Sequence, residues 1–255
     1  MSAKTIAVVN QKGGVGKTTT AVNMAAGLGL AARPTLLIDL DPQGNATTGL
    51  GIPKAELYPT IYHVLLGSEP LEKAIRDTVV PDLRLVPSDI DLVGAEIELV
   101  ALERREHRLA DTLRPIVDSY SYIVIDCPPS LGLLTINALA AADRVLVPLQ
   151  CEFYALEGLT HLLKTVKLVR ERLNARLAIE GIVLTMFDGR TSLALQIRDE
   201  VHRYFPGEIF ETVIPRNVRL TEAPSHGRPV MLHDLRSSGA IAYLELTREV
   251  LAHEQ

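Results

Sequence analysis

The chain has 255 residues, 47% of them hydrophobic, with a net charge of −5 and two cysteines. That length fits one large α/β domain, residues 1–255, with ample apolar material for a core, while the acidic balance argues against a uniformly basic nucleic-acid surface. No run of 18 apolar residues and no basic, apolar leader is present, so a cytoplasmic protein is expected, with Cys127 and Cys151 as reduced thiols in apolar surroundings rather than a disulfide or metal site.

Residues 6–9 read as a short buried strand, and residues 18–30 carry Ala21, Met24, Ala25 and Leu28 at helical spacing. Between them lies Asn-Gln-Lys-Gly-Gly-Val-Gly-Lys-Thr-Thr, residues 10–19. Glycines there let backbone N–H groups turn around an anion that faces the positive end of the following helix. Gly13, Gly14, Val15, Gly16 and Thr19 would form the cradle, Lys17 would neutralise the terminal phosphates, and Thr18 would offer its hydroxyl to magnesium. The pattern G-x-x-x-x-G-K-[ST] needs a glycine six residues before the lysine, where this chain has Gln11, and a second lysine, Lys12, stands five residues before Lys17. The loop is thus a variant cradle. Its strand and helix flanks favour a nucleotide over a glycine-rich turn without that chemistry.

Residues 35–40 form a second apolar run that ends among Asp39 and Asp41, where open α/β sheets place their ligands. Strand alternation puts both carboxylates on one side, and Pro42 and Gly44 then break the strand. One of the pair either reaches the phosphates or only caps the loop and completes a hydrogen-bond network. Prolines divide residues 52–82 into short pieces such as a helix over 61–66; residues 83–86 are a strand, and 89–113 one or two amphipathic helices rich in acid (Glu96, Glu98, Glu103, Glu106). That run is a solvated face or a match for a basic partner. Residues 122–125 are a third buried strand with Asp126 at its end, suited to hold magnesium, before Pro128 and Pro129 stop it.

A helix over 131–142, a strand over 144–149, a loop over 150–157, a helix over 155–174, a strand over 178–186, a turn over 187–191 and a helix over 192–204 follow. After residues 210–214 comes a loop over 215–219, and a closing helix over 235–251 has a mixed polar face with Glu245, Arg248, Glu249 and Glu254. Strands alternating with helices imply a mostly parallel twisted sheet with helices on both faces; with the variant phosphate loop after the first strand, a P-loop NTPase fold is expected. Basic and acidic residues balance at 7 against 7 over residues 186–236, compared with 7 against 11 over 61–115, so a local basic patch is compatible with the acidic total.

Four blocks, residues 12–19, 39–45 (Asp-Leu-Asp-Pro-Gln-Gly-Asn), 126–130 (Asp-Cys-Pro-Pro-Ser) and 215–220 (Pro-Arg-Asn-Val-Arg-Leu), together resemble the deviant Walker A ATPases and, within them, the ParA/Soj partitioning branch. The resemblance implies ATP and Mg2+ as cofactors, a homodimer closed face to face by ATP, and non-specific DNA binding at the nucleoid. It also implies slow hydrolysis stimulated by a ParB-type centromere-binding partner. It assigns Asp41 to the attacking water, Asp126 and Thr18 to magnesium, Lys12 to the partner subunit's nucleotide, Pro215 and Asn217 to the adenine, and the 150–157 loop to the dimer face. A second lysine cannot easily share one γ-phosphate with Lys17, which independently favours reach across a dimer over a solvated loop lysine. Arg190 and Arg219 match family positions that contact DNA; ordinary surface ion pairs are the alternative. The acidic 89–113 region is then a docking face for a basic segment of the partner. The other function class compatible with these blocks is a membrane-cycling or protein-positioning ATPase of the cell-division-site type, although the closing helix lacks a lysine-rich, bulky apolar face and no membrane contact is expected. The chain opens directly on a strand, so an N-terminal helix-turn-helix and operator-specific repression are not expected.

Overall fold

The structure, a computed structural model, describes residues 2–53 and 57–253, so Glu254 of the expected closing helix lies outside the described residues. In chain order the described elements are β1 (Lys4–Val8), α1 (Lys17–Leu30), β2 (Thr35–Asp39), α2 (Asn45–Gly49), α3 (Ile61–Leu66), α4 (Leu71–Ala74), β3 (Arg76–Asp77), β4 (Leu83–Val86), α5 (Leu92–Glu98) and α6 (Arg108–Leu113). They continue with β5 (Tyr122–Asp126), α7 (Leu133–Ala141), β6 (Arg144–Gln150), α8 (Ala155–Arg172), β7 (Ala178–Thr185), α9 (Ser192–Tyr204), α10 (Val218–Glu222), α11 (Val230–His233) and α12 (Ser238–Ala252).

β2 and β5 are buried at every position, which is why they read as unbroken apolar runs rather than alternating ones. The strands form one sheet in the order β3-β4-β2-β5-β1-β6-β7, parallel except for the two-residue edge strand β3. Helices cover both faces over two apolar cores. One core gathers Leu92, Leu109, Leu139, Leu159 and Leu162 against Ile123 and Ile125; the other gathers Met24, Leu28, Tyr243 and Leu246 against Ile6 and Val124. On the second face α1 and α12 lie close because Gly27 leaves room for Thr247, which a Cβ at that position would strike.

Register decides what faces the ligand end. Val8 pairs with Asp126, and Asp39 pairs with the same Asp126, so the carboxyl ends of β1, β5 and β2 finish in one row. Just beyond that row the chain becomes the glycine loop, the 41–44 turn and the Pro128-Pro129 stop. This is the edge at which such sheets hold ligands.

The structure decides one expected element between its alternatives and corrects the bounds of two others. The helical stretch over 89–113 is two short helices, α5 and α6, with turns between them in which Arg104 takes φ 52°. Buried Asn137 on α7 fixes that break by donating to the Arg105 carbonyl and accepting from the Leu109 N–H. Glu96 and Glu98 therefore sit on α5 while Glu103 and Glu106 sit in turns, and the four acids do not share a helix face. The closing helix starts at Ser238, not 235, because the Ser237 hydroxyl caps it by accepting from the Ala240 N–H. Two isolated bridges flank residues 210–214, Ile209 with Ile182 of β7 and Pro215 with Phe187. The 215–219 loop ends early: Asn217 caps α10 through the Arg219 N–H, which puts Arg219 on a helix.

Candidate active site

The loop between β1 and α1 is held from three sides. Asn10 donates to the Pro148 carbonyl at 2.8 Å and accepts from the Lys12 N–H at 3.0 Å, and the Thr185 hydroxyl donates to the Val15 carbonyl at 2.8 Å. Gly14 and Gly16 take φ 75° and 88°, a region closed to most side chains, and the space above Gly13 and Gly14 is open. The helix begins with the Thr20 N–H on the Gly16 carbonyl at 2.9 Å, so the first N–H groups of α1 point at this space. The cavity there measures about 340 Å³ and is lined by Gly14, Gly16, Lys17, Thr18, Asp41 and Pro129, among others.

Lys17 is buried, its ammonium donating to the Lys12 carbonyl at 3.0 Å. Burial lowers its pKa, with Asp126 and Asp41 opposing the fall. A cation held in this way, with only a carbonyl to bond, is poised for an anion that would displace that contact.

Beneath the loop lies the carboxylate row. Asp126 is fully buried and neither of its oxygens has a hydrogen-bond partner. Burial, and then the Asp39 charge, push its pKa well above the carboxylate range, while the nearby Thr18 hydroxyl and Lys17 ammonium pull the other way. An orphaned carboxylate beside a hydroxyl beneath this cavity fits a hard divalent cation with oxygen ligands, whose positive charge would offset both burial and the Asp39 repulsion. Asp39 is as deeply buried but is satisfied: it accepts from the Thr47 N–H and hydroxyl at 2.8 and 2.7 Å and from the Asp41 N–H at 3.2 Å. Burial still raises it to about 6. The Thr47 hydroxyl in turn accepts from the Ser88 N–H at 3.0 Å, tying the turn to the segment before α5.

The expected side-by-side pair thus separates. Asp39 is the network residue, and Asp41 is the one that lines the cavity beside Lys17 while also capping its own turn through the Gln43 N–H at 3.0 Å. Gly44 (φ 62°) closes that turn so tightly against the Ser88 carbonyl that a side chain there has no room.

The remaining expected site residues lie around this centre. Pro215 and Asn217 line a smaller cleft of about 110 Å³ with Gly16 and Thr19, on the side away from Asp41. Both functional groups of Asn217 are committed, to the Arg219 N–H and to the Ser238 hydroxyl, leaving backbone and apolar surface for a base. Lys12 is half-exposed and its ammonium is bonded to Glu152, a residue that sequence reasoning did not single out. Arg190 and Arg219 are both in surface ion pairs: Arg190 grips Asp188 at 2.8 and 2.7 Å, and Arg219 bonds Glu222 at 2.7 Å and Asp234 at 3.3 Å. Arg190 accordingly holds the Asp188 carboxyl down to about 2. In the uncomplexed chain the ion-pair alternative is the one realised. Burial raises both thiols, Cys151 to about 11 and Cys127 well above the thiol range, which leaves them unreactive.

The family described as AAA domain matches residues 3–179. The chromosome partitioning protein ParA of Myxococcus xanthus is 55% identical over 249 residues, covering 98% of this chain and 88% of that protein. The sporulation initiation inhibitor protein Soj of Bacillus subtilis is 55% identical over 250 residues, 98% of this chain and 99% of that one. Among solved structures, a cobyrinic acid a,c-diamide synthase from Mycobacterium smegmatis with a bound ATP analogue and magnesium superimposes with a TM-score of 0.87 at 36% identity over 99% of this chain and 96% of the other.

Proposed function

The chain belongs to the ParA/Soj family of partitioning P-loop ATPases, and from that premise we propose that it is an ATP-dependent DNA-segregation switch. ATP closes two subunits face to face, the closed dimer binds DNA without sequence preference, and slow hydrolysis, stimulated by a centromere-binding partner of the ParB type, reopens it at the nucleoid. The observation that carries this reading is an open glycine cradle and a buried Lys17 lining one cavity at the carboxyl end of the sheet, with the partnerless buried Asp126 beneath it and electrostatically coupled to Lys17.

In this reading the chain's residues divide the work. N–H groups of residues 13–19 and the Lys17 ammonium hold the β- and γ-phosphates. Thr18 and Asp126 hold magnesium, which when bound supplies positive charge against the phosphate oxygens. Asp41 accepts a proton or hydrogen bond from the attacking water, and its fixed turn orients that water. Lys12 reaches the partner subunit's nucleotide and offsets charge developing on the transferred group. Pro215 and the Asn217 backbone flank the adenine. Arg190 and Arg219 contact DNA by exchanging their carboxylates for phosphates, an exchange between two exposed ion pairs of similar strength that counterion release from DNA then favours. No described helix is long and apolar enough to cross a membrane.

The test is an Asp41→Ala protein, expected to bind ATP, hydrolyse it far more slowly and remain trapped as a dimer on DNA-coated beads. Arg219→Glu in that background should keep the dimer and lose the DNA. Turnover at the normal rate in Asp41→Ala removes that residue from water positioning, and a dimer that ignores DNA but binds a protein cargo favours the protein-positioning alternative.

A further inference from the structure

Two contacts strap the glycine loop to the segment that opens α8. Gln11 donates its side-chain amide to the Gly158 carbonyl at 3.3 Å, and the Lys12 ammonium is bonded to Glu152. Glu152 is not free to drift, because its carbonyl accepts from the Ala155 N–H at 2.9 Å and its N–H donates to the Gln150 carbonyl at 2.9 Å, fixing it in the turn between β6 and α8. Beside it Phe153 and Tyr154 stand 77% and 68% exposed, their rings edge to face at 5.0 Å. A lysine meant for a nucleotide in another subunit is therefore occupied within its own.

The ammonium cannot serve both partners at full strength. A carboxylate that holds it in one subunit competes directly with the phosphates that would receive it in a dimer.

Resting on the dimer reading above, we infer that Glu152 is a positioning residue that latches Lys12 in the open subunit, so that closure has to transfer this lysine from Glu152 to the partner's nucleotide. The latch raises the ATP concentration needed for closure and makes release of Glu152 the step at which the two exposed rings beside it meet the second copy. The lysine and carboxylate are both close to half-exposed, 42% and 45%, so each pair is worth only a few-fold, and the two per dimer set an expected effect of about tenfold on the closing equilibrium.

The experiment is an ATP titration of dimer formation by light scattering in an Asp41→Ala background, comparing Glu152, Glu152→Gln, Glu152→Asp, Lys12→Ala and Lys12→Ala with Glu152→Gln. Because each dimer takes up two ATP, Glu152→Gln should close at about threefold less ATP; Glu152→Asp should lie near the parent, and both Lys12→Ala proteins should fail to close. Thermal melts establish that each variant folds. An unchanged midpoint for Glu152→Gln, or one moved to higher ATP, overturns the latch while leaving the switch intact. Closure of the Lys12→Ala protein that is eased equally by Glu152→Gln overturns it too, because Glu152 would then act without Lys12. A parent that never dimerises with ATP overturns the switch itself and the latch with it.

Discussion

The two ends of this sheet bury their carboxylates in opposite ways. At the amino ends of the strands Glu180, with a side chain 2% exposed, is met by Lys4 at 2.8 Å, His253 at 3.3 Å and Arg144 at 3.7 Å, so that β1, β6, β7 and the residue after α12 converge on one acid. At the carboxyl ends Asp126 has no hydrogen-bond partner and the buried Asp39 as its neighbour in register. A buried acid ringed by basic groups is scaffold. One left without a hydrogen bond, beside a like charge and opposed only by a Lys17 ammonium that is itself buried, carries an electrostatic cost that a ligand can relieve.

The widest separation between the two ends should come from Lys17→Ala. It is expected to weaken nucleotide binding by more than about a hundredfold, since a charge facing the phosphates disappears and no neighbour replaces it. The fold should tolerate it, because Lys17 makes a single hydrogen bond, to a carbonyl. Calorimetry showing parental affinity would erase the assignment of the cradle.

Glu180→Ala should do the reverse, costing about 2 kcal/mol in urea unfolding with nucleotide affinity intact, because basic side chains at the far end lose their shared acid. A matching loss of nucleotide affinity would mean the two ends are not independent.

Asp126→Asn sharpens the contrast from the other side. Replacing a carboxyl whose ionised form is opposed by burial and then by Asp39 should stabilise the metal-free protein by about 1 kcal/mol at alkaline pH, with a smaller gain where the carboxyl is already protonated, while the strengthening of nucleotide binding by magnesium disappears. Destabilisation on this substitution would show that the carboxylate is satisfied after all.

The smallest effect concerns acidity. Asp39 is raised to about 6 by burial, so the folded protein holds its proton more tightly than the unfolded chain does. The resulting stability is present in full below the ordinary carboxylate range and is lost as pH rises through about 6. Urea midpoints of the metal-free protein between pH 4.5 and 7 should therefore fall with pH, and Asp39→Asn should flatten that slope.

What could be read in the sequence was what neighbouring residues decide. Gly16, Lys17 and Thr18 act within one turn, and β2 and β5 announce themselves because both of their faces are buried. The contact between Lys12 and Glu152 spans 140 residues and has no local sign. Apart from the family resemblance, Asp39 and Asp41 could not be told apart, because their roles depend on Thr47, which arrives from α2. Neither arginine's partner was named from the sequence: Arg190 with Asp188 is a two-residue turn contact, whereas Arg219 with Glu222 needs α10, which the short run Val-Arg-Leu-Thr-Glu does not betray. The break between α5 and α6 belongs to Asn137, a tertiary contact that overrides an otherwise helical pattern.

The 41–44 turn has almost no slack: Asp39 holds the Asp41 N–H, Asp41 holds the Gln43 N–H, and Gly44 abuts the Ser88 carbonyl. Seen as material for engineering, this leaves few dials. Gln43 and Asn45 are exposed and line the cavity beside Lys17, so under the proposed switch a small library at those two positions is expected to change the hydrolysis rate without dismantling its support. Random change across Asp39, Asp41 and Gly44 would return broken clocks rather than faster or slower ones.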